Sequence, residues 1–227
     1  MLEGTVNLVD VWPLFGLELS TPRLQLRPVR DHDLPALIEC ALSGVHDPAY
    51  QPFDFPWATQ PKAELPANTA QFHWGRRSSL TPDDWSVEFG IHLDGHIVGS
   101  QGLMAKDFAR TRNVSTGSWL AQQYQGLGIG KEMRAAVLMF AFDHLHASEA
   151  ITHAWEDNGP SNGVSKSLGY LDNGIERQAA GEGYRIKQNY RMSPEHFLRP
   201  EWELRVDGFT DKVTAQLGLG SARRPIE

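Results

Sequence analysis

The stretch YQGLGIGKEM, residues 124–133, decides which fold this chain is expected to adopt. Three of its ten residues are glycine, at positions 126, 128 and 130, and apolar residues recur at spacings of three and four from Ile129 onward, which predicts a helix. Glycine lets the backbone curl and approach a ligand closely, while unpaired N–H groups at a helix start attract negative charge. The stretch therefore predicts a loop that holds phosphate groups where a helix begins.

Two common phosphate-binding patterns do not fit this loop. A Walker P-loop needs a glycine five residues before Gly130 and a serine or threonine after Lys131, whereas the chain has Gln125 and Glu132 there. The dinucleotide fingerprint needs its third glycine where Lys131 stands, and it would follow the first strand of the chain. A third pattern, Gln/Arg-x-x-Gly-x-Gly/Ala, is met by Gln125, Gly128 and Gly130.

Composition limits the classes of protein to which the chain could belong. Its 227 residues, 41% hydrophobic and 22% charged, predict one globular domain with its own core. The net charge of −7 disfavours a nucleic-acid partner, and the single cysteine, Cys40, excludes an internal disulfide and a cysteine-based zinc site. The N-terminus lacks a basic segment followed by an apolar run with a small-residue cleavage site, so we expect no secretory leader, and no apolar run reaches about 18 residues. We therefore expect a cytoplasmic protein without a membrane or nucleic-acid partner.

The chain before the glycine loop predicts a strand, a helix and a hairpin. Residues 17–29 alternate like a strand, and Asp31 or Asp33 can cap the apolar-faced helix that follows. Residues 85–93 alternate strictly, and Asp94-Gly95 supplies a tight turn into a partner strand.

The remaining segments predict loops around the hairpin and shorter elements after it. Residues 44–83 are rich in proline and aromatic residues, which favours long loops with one short helix that often line a substrate site. The helix that follows the glycines should extend to about His146. We further expect strands at 115–124, 151–156, 174–180 and 183–192, a helix over 161–170, and an appended C-terminal segment.

The pattern at Gln125 and its neighbours resemble the GCN5-related N-acetyltransferases, the GNAT superfamily. TGSWLA (116–121) would be the strand before the loop, and DNGPSNGVSKSLGY (157–170) is similar to the family's next motif, Asn-x-x-Ser/Ala and a helix that ends in Gly-Tyr. STPRLQLRPV (20–29) resembles the RimJ/RimL branch of ribosomal-protein N-terminal acetyltransferases. The wording TPRLQL, GVHDP, GSWLA, YQGLGIGKEMRAAVL and VDGF is similar to actinobacterial members that use succinyl-CoA.

The resemblance, which covers about residues 17–192, implies both the fold and the reaction. It implies an α+β fold, an α/β/α sandwich whose mixed, mostly antiparallel twisted sheet has about seven strands flanked by helices. We expect one acyltransferase domain over residues 1–200 and a C-terminal extension over 201–227. The implied reaction moves an acetyl or succinyl group from acyl-CoA to a primary amine by direct attack in a ternary complex, without a metal.

The resemblance also implies a set of residues that bind coenzyme A. Backbone groups near Trp119 and Leu120 would polarise the thioester carbonyl, while the Trp119 side chain is interpreted as core or cleft wall. Asn158 would hydrogen-bond the coenzyme, although Asn-Gly-Pro is also a turn signal. The full set of expected coenzyme contacts is Trp119, Leu120, Gln125, Gly126, Leu127, Gly128, Ile129, Gly130, Lys131, Asn158 and Ser161.

Candidate catalytic groups are fewer. Ser161 matches the serine to which the RimL-like branch assigns proton donation to the thiolate, and its alternative interpretation is a helix N-cap. Ser165 stands where many relatives carry a donor tyrosine. Glu88, Asp107 and Glu156 are candidate general bases, each with the alternative of an ordinary surface carboxylate. His46 and Asp47 in the loop segment are further groups that could meet the acceptor.

Partners and alternative functions follow from the same features. The acceptor amine could be a protein N-terminus, a lysine, a polyamine or another small amine. The missing tyrosine at position 165 favours, as an alternative, a non-catalytic relative that only binds acyl-CoA. A nucleotide-binding enzyme is a third possibility, weakened by the two failed patterns. Trp202, Leu204, Val206 and Phe209 would suit a strand donated to a neighbouring subunit, which predicts a homo-oligomer.

Overall fold

A nine-stranded sheet forms the centre of the computed structural model, which describes residues 6–180 and 182–219. The strand order is β7-β8-β6-β5-β4-β3-β2-β1-β9, and within the described residues every pairing is antiparallel except that of β5 with β6. The strands are β1 (Glu18–Ser20), β2 (Leu24–Pro28), β3 (Asp84–Leu93), β4 (His96–Lys106), β5 (Asn113–Leu120), β6 (Glu149–Trp155), β7 (Leu171–Ala180), β8 (Gly183–Met192) and β9 (Arg205–Asp207).

Helices cover both faces of the sheet. They are α1 (Leu8–Val11), α2 (Leu34–Leu42), α3 (Leu65–Ser78), α4 (Phe108–Thr111), α5 (Ile129–Met139), α6 (Gly159–Ser167) and α7 (Asp211–Gln216). Trp119 packs against residues of α2 and α3, whereas the next residue, Leu120, belongs to the cluster that contains α5. Because successive side chains of a strand point to opposite faces, α2 and α3 lie on one face and α5 on the other. The α+β fold with a mixed sheet flanked by helices is thereby confirmed.

The main hydrophobic core lies on the α5 face of the sheet, and most residues of α5 belong to it. Nine of the eleven residues of α5 are buried, although its sequence predicts a helix with one apolar stripe. The helix contacts β1, β2, β4 and β5 of the sheet and also α6, which covers more of its surface than one stripe. The C-terminal segment covers the turn that follows, because the Phe209 ring packs 5.3 Å from that of Phe140 in the π-helical turn (Phe140–His144).

Two expectations for the N-terminal half need correction. Residues 17–29 form a small hairpin of β1 and β2 rather than one strand, because Pro22 lacks the N–H that a continuous ladder would need. The predicted short helix of the 44–83 segment is the 14-residue α3. With β1 separate from β2 and β9 added, the sheet has nine strands instead of about seven.

The C-terminal segment adds an edge strand to its own sheet. β9 pairs antiparallel with β1, and Trp202, Leu204, Val206 and Phe209 pack partly buried against the main core. These side chains are therefore not free for donation to a neighbour. Residues 220–227, the end of the predicted extension, lie outside the described residues. No helix in the described part of the chain is both long and apolar enough to cross a bilayer.

Candidate functional site

The sheet opens between β5 and β6. These strands pair only over residues 113–115 with 149–151, although β5 runs on to Leu120 and β6 to Trp155. The Thr152 hydroxyl donates to the Thr116 carbonyl (3.1 Å), and beyond this bond the strands separate. A cavity of about 590 Å³ lies at the opening, which we call the cleft.

One lip of the cleft is an unpaired strand edge. The Ala121 N–H donates to the Val98 carbonyl of β4 (3.1 Å), and backbone groups alternate in direction along an extended chain. The Leu120 N–H and C=O therefore face away from β4, and the Gln125 side-chain amide donates to this carbonyl (2.9 Å). The Leu120 N–H is thus a donor directed to the side on which the cleft opens.

The glycine loop lies at the end of β5 and begins α5. Gly126 (φ +74°) and Gly128 (φ +80°) are left-handed, and Gly128 is the N-cap of the helix. The first intrahelical bond runs from the Glu132 N–H to the Gly128 carbonyl (3.1 Å), so the N–H groups of residues 129–131 have no helical acceptor. Gly130 is helical, so only two of the three glycines curl the backbone. This arrangement fits a diphosphate.

Side chains that sequence reasoning missed fix this loop in place. Glu132 is buried and accepts from Arg23 Nε (2.7 Å), and Arg23 Nη1 also donates to the Leu127 carbonyl (3.2 Å). The turn between β1 and β2 is thereby attached to the helix start. Gln125 donates to the Val45 carbonyl (2.7 Å), so its side chain organises the loop from within. The side chains of Leu127 and Lys131 are exposed, and that of Ile129 is in the core.

The start of α6 forms a second part of the cleft wall. Asn158 is the N-cap of this helix, and its side chain accepts from the Ser161 N–H (3.3 Å). The interpretation of Ser161 as the cap is therefore wrong. Both residues line the cleft.

Ser165, the other serine of α6, is only 1% exposed. Its hydroxyl donates to the Ser161 carbonyl (3.1 Å) and accepts from Arg134 Nη1 (3.0 Å). The expectation that Ser165 acts on the thiolate is not supported by this geometry, because its proton is already engaged inside the protein.

Arg134 is an unforeseen cation in the cleft wall. It is 5% exposed, donates to Ser165 and to Ser118 Oγ (3.2 Å), and its Nε has no hydrogen-bond partner in the described structure. No carboxylate of the described residues lies within ion-pair distance of it, and burial lowers the pKa of this guanidinium. A buried charge without a counter-ion is costly, which makes this a site with affinity for an anionic group.

Residues 50–57 of the 44–83 segment, which we call the strap, cross above the cleft. Tyr50 donates to Asp157 (2.9 Å), and Asp54 pairs with the buried Lys187 Nζ of β8 (2.9 Å). Arg185 donates to the Gln51 carbonyl (2.6 Å). Phe53 and Phe55 within the strap line the cleft, so the predicted role of this segment as a cavity wall fits its position.

A second, smaller cavity of about 270 Å³ lies on the α2/α3 face of the sheet. Gly117, Ser118 and Met104 line both cavities, so the two adjoin where β5 begins to separate from β6. Trp119 lines the smaller cavity, and its ring lies 5.3 Å from that of Trp57. The Trp119 side chain is therefore both packing and cavity wall.

Glu88 faces the smaller cavity from β3. Ser86 Oγ donates to its carboxylate (2.8 Å), and desolvation by the surrounding protein raises the pKa of this carboxyl above its ordinary value. In the register of the sheet Glu88 is opposite Gly102, and Gly102 is opposite Gly117. Two adjacent glycines thus leave this row without side chains of its own between Glu88 and the cleft, which we call the corridor. The Glu88 carboxylate already lies over Gly102, 3.0 Å from where a Cβ would stand, and Met104 Cε borders Gly117, 3.8 Å from the corresponding point there. The carboxylate is therefore about one strand spacing, ~5 Å, from the Gly117 backbone.

The other predicted acid–base residues are not brought to either cavity. Asp107 follows β4 and pairs with Arg110, and Glu156 is exposed at the end of β6. His46 contacts the Asp47 carbonyl and packs its ring against Phe53. The four predicted residues that line neither the cleft nor the smaller cavity are His46, Asp47, Asp107 and Glu156. Within residues 6–180 and 182–219, no three His, Cys, Asp or Glu side chains are grouped as a metal would need.

Comparison with known proteins places this geometry among acyltransferases. A family model described as "Acetyltransferase (GNAT) domain" matches residues 23–171. The Bacillus subtilis (strain 168) protein named "Putative ribosomal N-acetyltransferase YdaF" is 26% identical over 135 residues, which are 56% of this chain and 71% of that protein.

Solved structures share the fold at lower identity. Mycobacterium smegmatis RimJ in complex with CoA-disulfide has a TM-score of 0.67 and 22% identity, over 83% of this chain and 91% of that chain. The ribosomal L7/L12 α-N-protein acetyltransferase RimL, in complex with coenzyme A, has a TM-score of 0.60 and 18% identity, over 76% of this chain and 94% of that one.

Proposed function

Because the chain belongs to the GNAT acetyltransferase family, we propose that it transfers an acyl group from acyl-CoA to a primary amine by direct attack in a ternary complex. The observation that carries this proposal is the cleft between β5 and β6 with the left-handed glycine loop at its end. An open strand edge suits the amides of pantetheine, and the free N–H groups of residues 129–131 suit a diphosphate. Asn158 and Ser161 would contact the coenzyme from α6.

In the proposed reaction, Glu88 is the general base. The amine nitrogen forms a bond to the thioester carbonyl carbon while the C–S bond breaks, and the amine proton passes through a water over the Gly102–Gly117 row to the Glu88 carboxylate. The raised pKa of Glu88 improves its match to an amine. The Leu120 N–H would stabilise charge on the carbonyl oxygen, and Ser161 would protonate the departing thiolate and take a proton back from cleft water, while Glu88 returns its proton to solvent after product release.

The donor is proposed to be acetyl-CoA or succinyl-CoA, and Arg134 favours an acyl group that ends in a carboxylate. Its guanidinium is buried at the cleft wall without an acidic partner, and a succinyl carboxylate would supply one. We expect Arg134→Met to weaken succinyl-CoA binding at least tenfold more than acetyl-CoA binding. Arg110→Met, at an exposed arginine outside both cavities, is the matched control. Equal losses for both donors would contradict this role of Arg134.

Isothermal titration with acetyl-CoA and succinyl-CoA tests the proposed function directly. We expect saturable binding of at least one at protein concentrations of tens of micromolar, followed by release of free coenzyme A thiol when an amine is added. Absence of heat with both donors would refute the proposal.

A second candidate function is a non-catalytic acyl-CoA-binding protein. It is favoured by one observation, the buried and engaged Ser165 at the position of the family tyrosine. This alternative predicts coenzyme binding without thiol release for any amine, so steady release of the thiol would exclude it.

The proposal extends to the setting of the reaction. The names of the relatives, which refer to ribosomal proteins, make a protein N-terminus one candidate acceptor beside lysine and small amines. We propose a cytoplasmic protein with one acyltransferase domain over 1–200 and an extension over 201–227. The homo-oligomer stays a prediction from the sequence, and it would need an interface other than a donated tail strand, because β9 pairs within its own chain. Size-exclusion chromatography that detects only monomer would contradict the oligomer.

A further inference from the structure

The smaller cavity has an aromatic wall built from three different parts of the chain. The ring of Phe53 lies 5.1 Å from that of Trp57, which in turn lies 5.3 Å from that of Trp119. Phe55 from the strap and Phe72 from α3 complete the wall, and both are largely exposed at 56% and 42%. Exposed rings at the mouth of an aromatic cavity are costly in water, so this surface favours an apolar occupant.

The charges around the cavity favour a cation inside it. Glu88 is the acidic side chain of the described wall. Arg76 is exposed at the mouth, where its guanidinium stacks 5.2 Å from the Phe72 ring centroid. Burial lowers the pKa of His73 to about 4, so this imidazole is neutral at neutral pH. The wall therefore presents one carboxylate amid aromatic rings, both of which attract an ammonium group, and one cation at the mouth, Arg76, whose charge also acts on Glu88.

We propose that the acceptor is a small hydrophobic amine, an aryl-alkyl primary amine whose ring occupies this aromatic cavity and whose nitrogen lies next to Glu88. The inference rests on the proposed function and specifies its acceptor. The row of Gly102 and Gly117 contributes no side chain of its own, so the nitrogen can lie over these glycines, beside the Glu88 carboxylate and facing the cleft. The ring lies among Trp57, Phe72 and Trp119.

Size and polarity set this acceptor apart from a peptide. The cavity volume of about 270 Å³ is just below the 300–1,000 Å³ typical of pockets for drug-sized ligands, so it suits a compact molecule. A peptide N-terminus would bring several backbone N–H and C=O groups against the rings, and each buried group without a partner costs roughly 1–3 kcal/mol. An aryl-alkyl amine has one polar group, and Glu88 satisfies it.

The test measures release of coenzyme A thiol with three probes at equal concentration: 2-phenylethylamine, putrescine and a tetra-alanine peptide with a free N-terminus. The donor is whichever acyl-CoA binds in titration. We expect kcat/KM for 2-phenylethylamine to exceed both others at least tenfold. An equal or higher kcat/KM for the peptide or for putrescine would overturn the proposal.

Variants link the preference to the cavity. Trp57→Ala and the milder Phe72→Leu should each raise KM for 2-phenylethylamine, by about tenfold for Trp57→Ala, because that variant removes stacked ring contacts. Phe72→Leu should leave the acyl-CoA Kd unchanged because Phe72 lines only the smaller cavity, whereas Trp57 also lines the cleft, so the acyl-CoA Kd of Trp57→Ala is measured alongside its KM. Trp74→Ala is the matched control, since Trp74 lies half-exposed on α3, bonds to Asp31 (3.0 Å) and lines neither cavity.

The outcomes separate the two proposals. Unchanged KM in both cavity variants would refute the aromatic acceptor while the acyltransferase function stands. Binding of acyl-CoA without thiol release from any probe would also refute it and would favour the non-catalytic alternative. Failure of acyl-CoA to bind would refute the proposed function itself, and the acceptor with it.

Discussion

Two glycines of the same loop should respond in opposite ways to the same substitution. Gly128 has φ +80°, and a Cβ there would lie 3.5 Å from Arg23 Nη2, which is an ordinary contact. The cost of Gly128→Ala is therefore conformational, about 1–2 kcal/mol for an L-residue in the left-handed region. Gly130 is helical, and its Cβ would meet Leu120 and Val164 at 3.8 and 3.9 Å. Gly130→Ala should therefore gain up to about 1 kcal/mol.

Thermal unfolding of the ligand-free variants measures both effects. For a chain of this length 1 kcal/mol corresponds to roughly 2–4 °C, so Tm should fall by about 2–8 °C for Gly128→Ala and rise by up to about 4 °C for Gly130→Ala. If Gly128→Ala leaves Tm unchanged, the left-handed cap described here is wrong.

Titration with acyl-CoA tests the same loop as a ligand site. If residue 128 leaves the left-handed region, the N–H groups of residues 129–131 no longer converge. The loss of one hydrogen bond to a charged phosphate, about 1.5–3 kcal/mol, lowers affinity at least tenfold. A larger side chain, as in Gly128→Trp, should abolish binding while the fold persists. Wild-type affinity in either variant would show that the loop does not hold the diphosphate.

Three further predictions follow from single residues. Glu88→Gln should lower kcat/KM at least ~100-fold with unchanged acyl-CoA affinity. Because burial raises the pKa of Glu88, the activity of the wild-type protein should begin to decline, as pH falls, at a pH above the ordinary carboxyl range. A pH–rate profile without such a decline would contradict the role of Glu88 as base. His73 has a pKa lowered from 6.5 to about 4, so the unfolded chain binds a proton that the folded chain excludes. The free energy of unfolding should therefore decrease as pH falls from about 6.5 to 4, by on the order of 3 kcal/mol, and His73→Gln should flatten this slope in denaturant titrations. In Gly208→Ala, at φ +71°, the new Cβ would lie 1.9 Å from the Gly16 carbonyl oxygen, so Tm should fall by at least ~4 °C and β9 should become sensitive to protease; an unchanged Tm would refute this contact.

Features encoded by neighbouring residues could be predicted from the sequence. The β3–β4 hairpin is one, because Asp94 and Gly95 take the positive φ values, 49° and 79°, that its two-residue turn requires. The glycine loop before α5 is another, since Gly128 stands at the N-cap position, where the chain is left-handed (φ +80°). Both depend on short-range backbone chemistry, which a single sequence states directly.

Features that depend on distant pairing could not be predicted. The corridor from Glu88 exists because two glycines far apart in sequence fall in one row, and this register is set only when β3, β4 and β5 align. Arg134 reads in sequence as one more polar position on a helix, and its isolation from any carboxylate appears only once α5 and α6 pack. The pairing of β9 with β1 likewise joins residues nearly 190 positions apart.

Because β5 and β6 pair over only a short length, the sheet consists of two halves. These halves are joined by three residue pairs and by one hydrogen bond from the Thr152 hydroxyl. The Asp54–Lys187 ion pair adds a further link above the opening between β5 and β6. A ligand whose amides hydrogen-bond to the unpaired edges of β5 and β6 would join the two halves of the sheet. Binding of the ligand should therefore make both strands more rigid. Amide protons along the unpaired edges of β5 and β6 should then exchange with solvent quickly in the free protein and slowly in the ligand-bound protein.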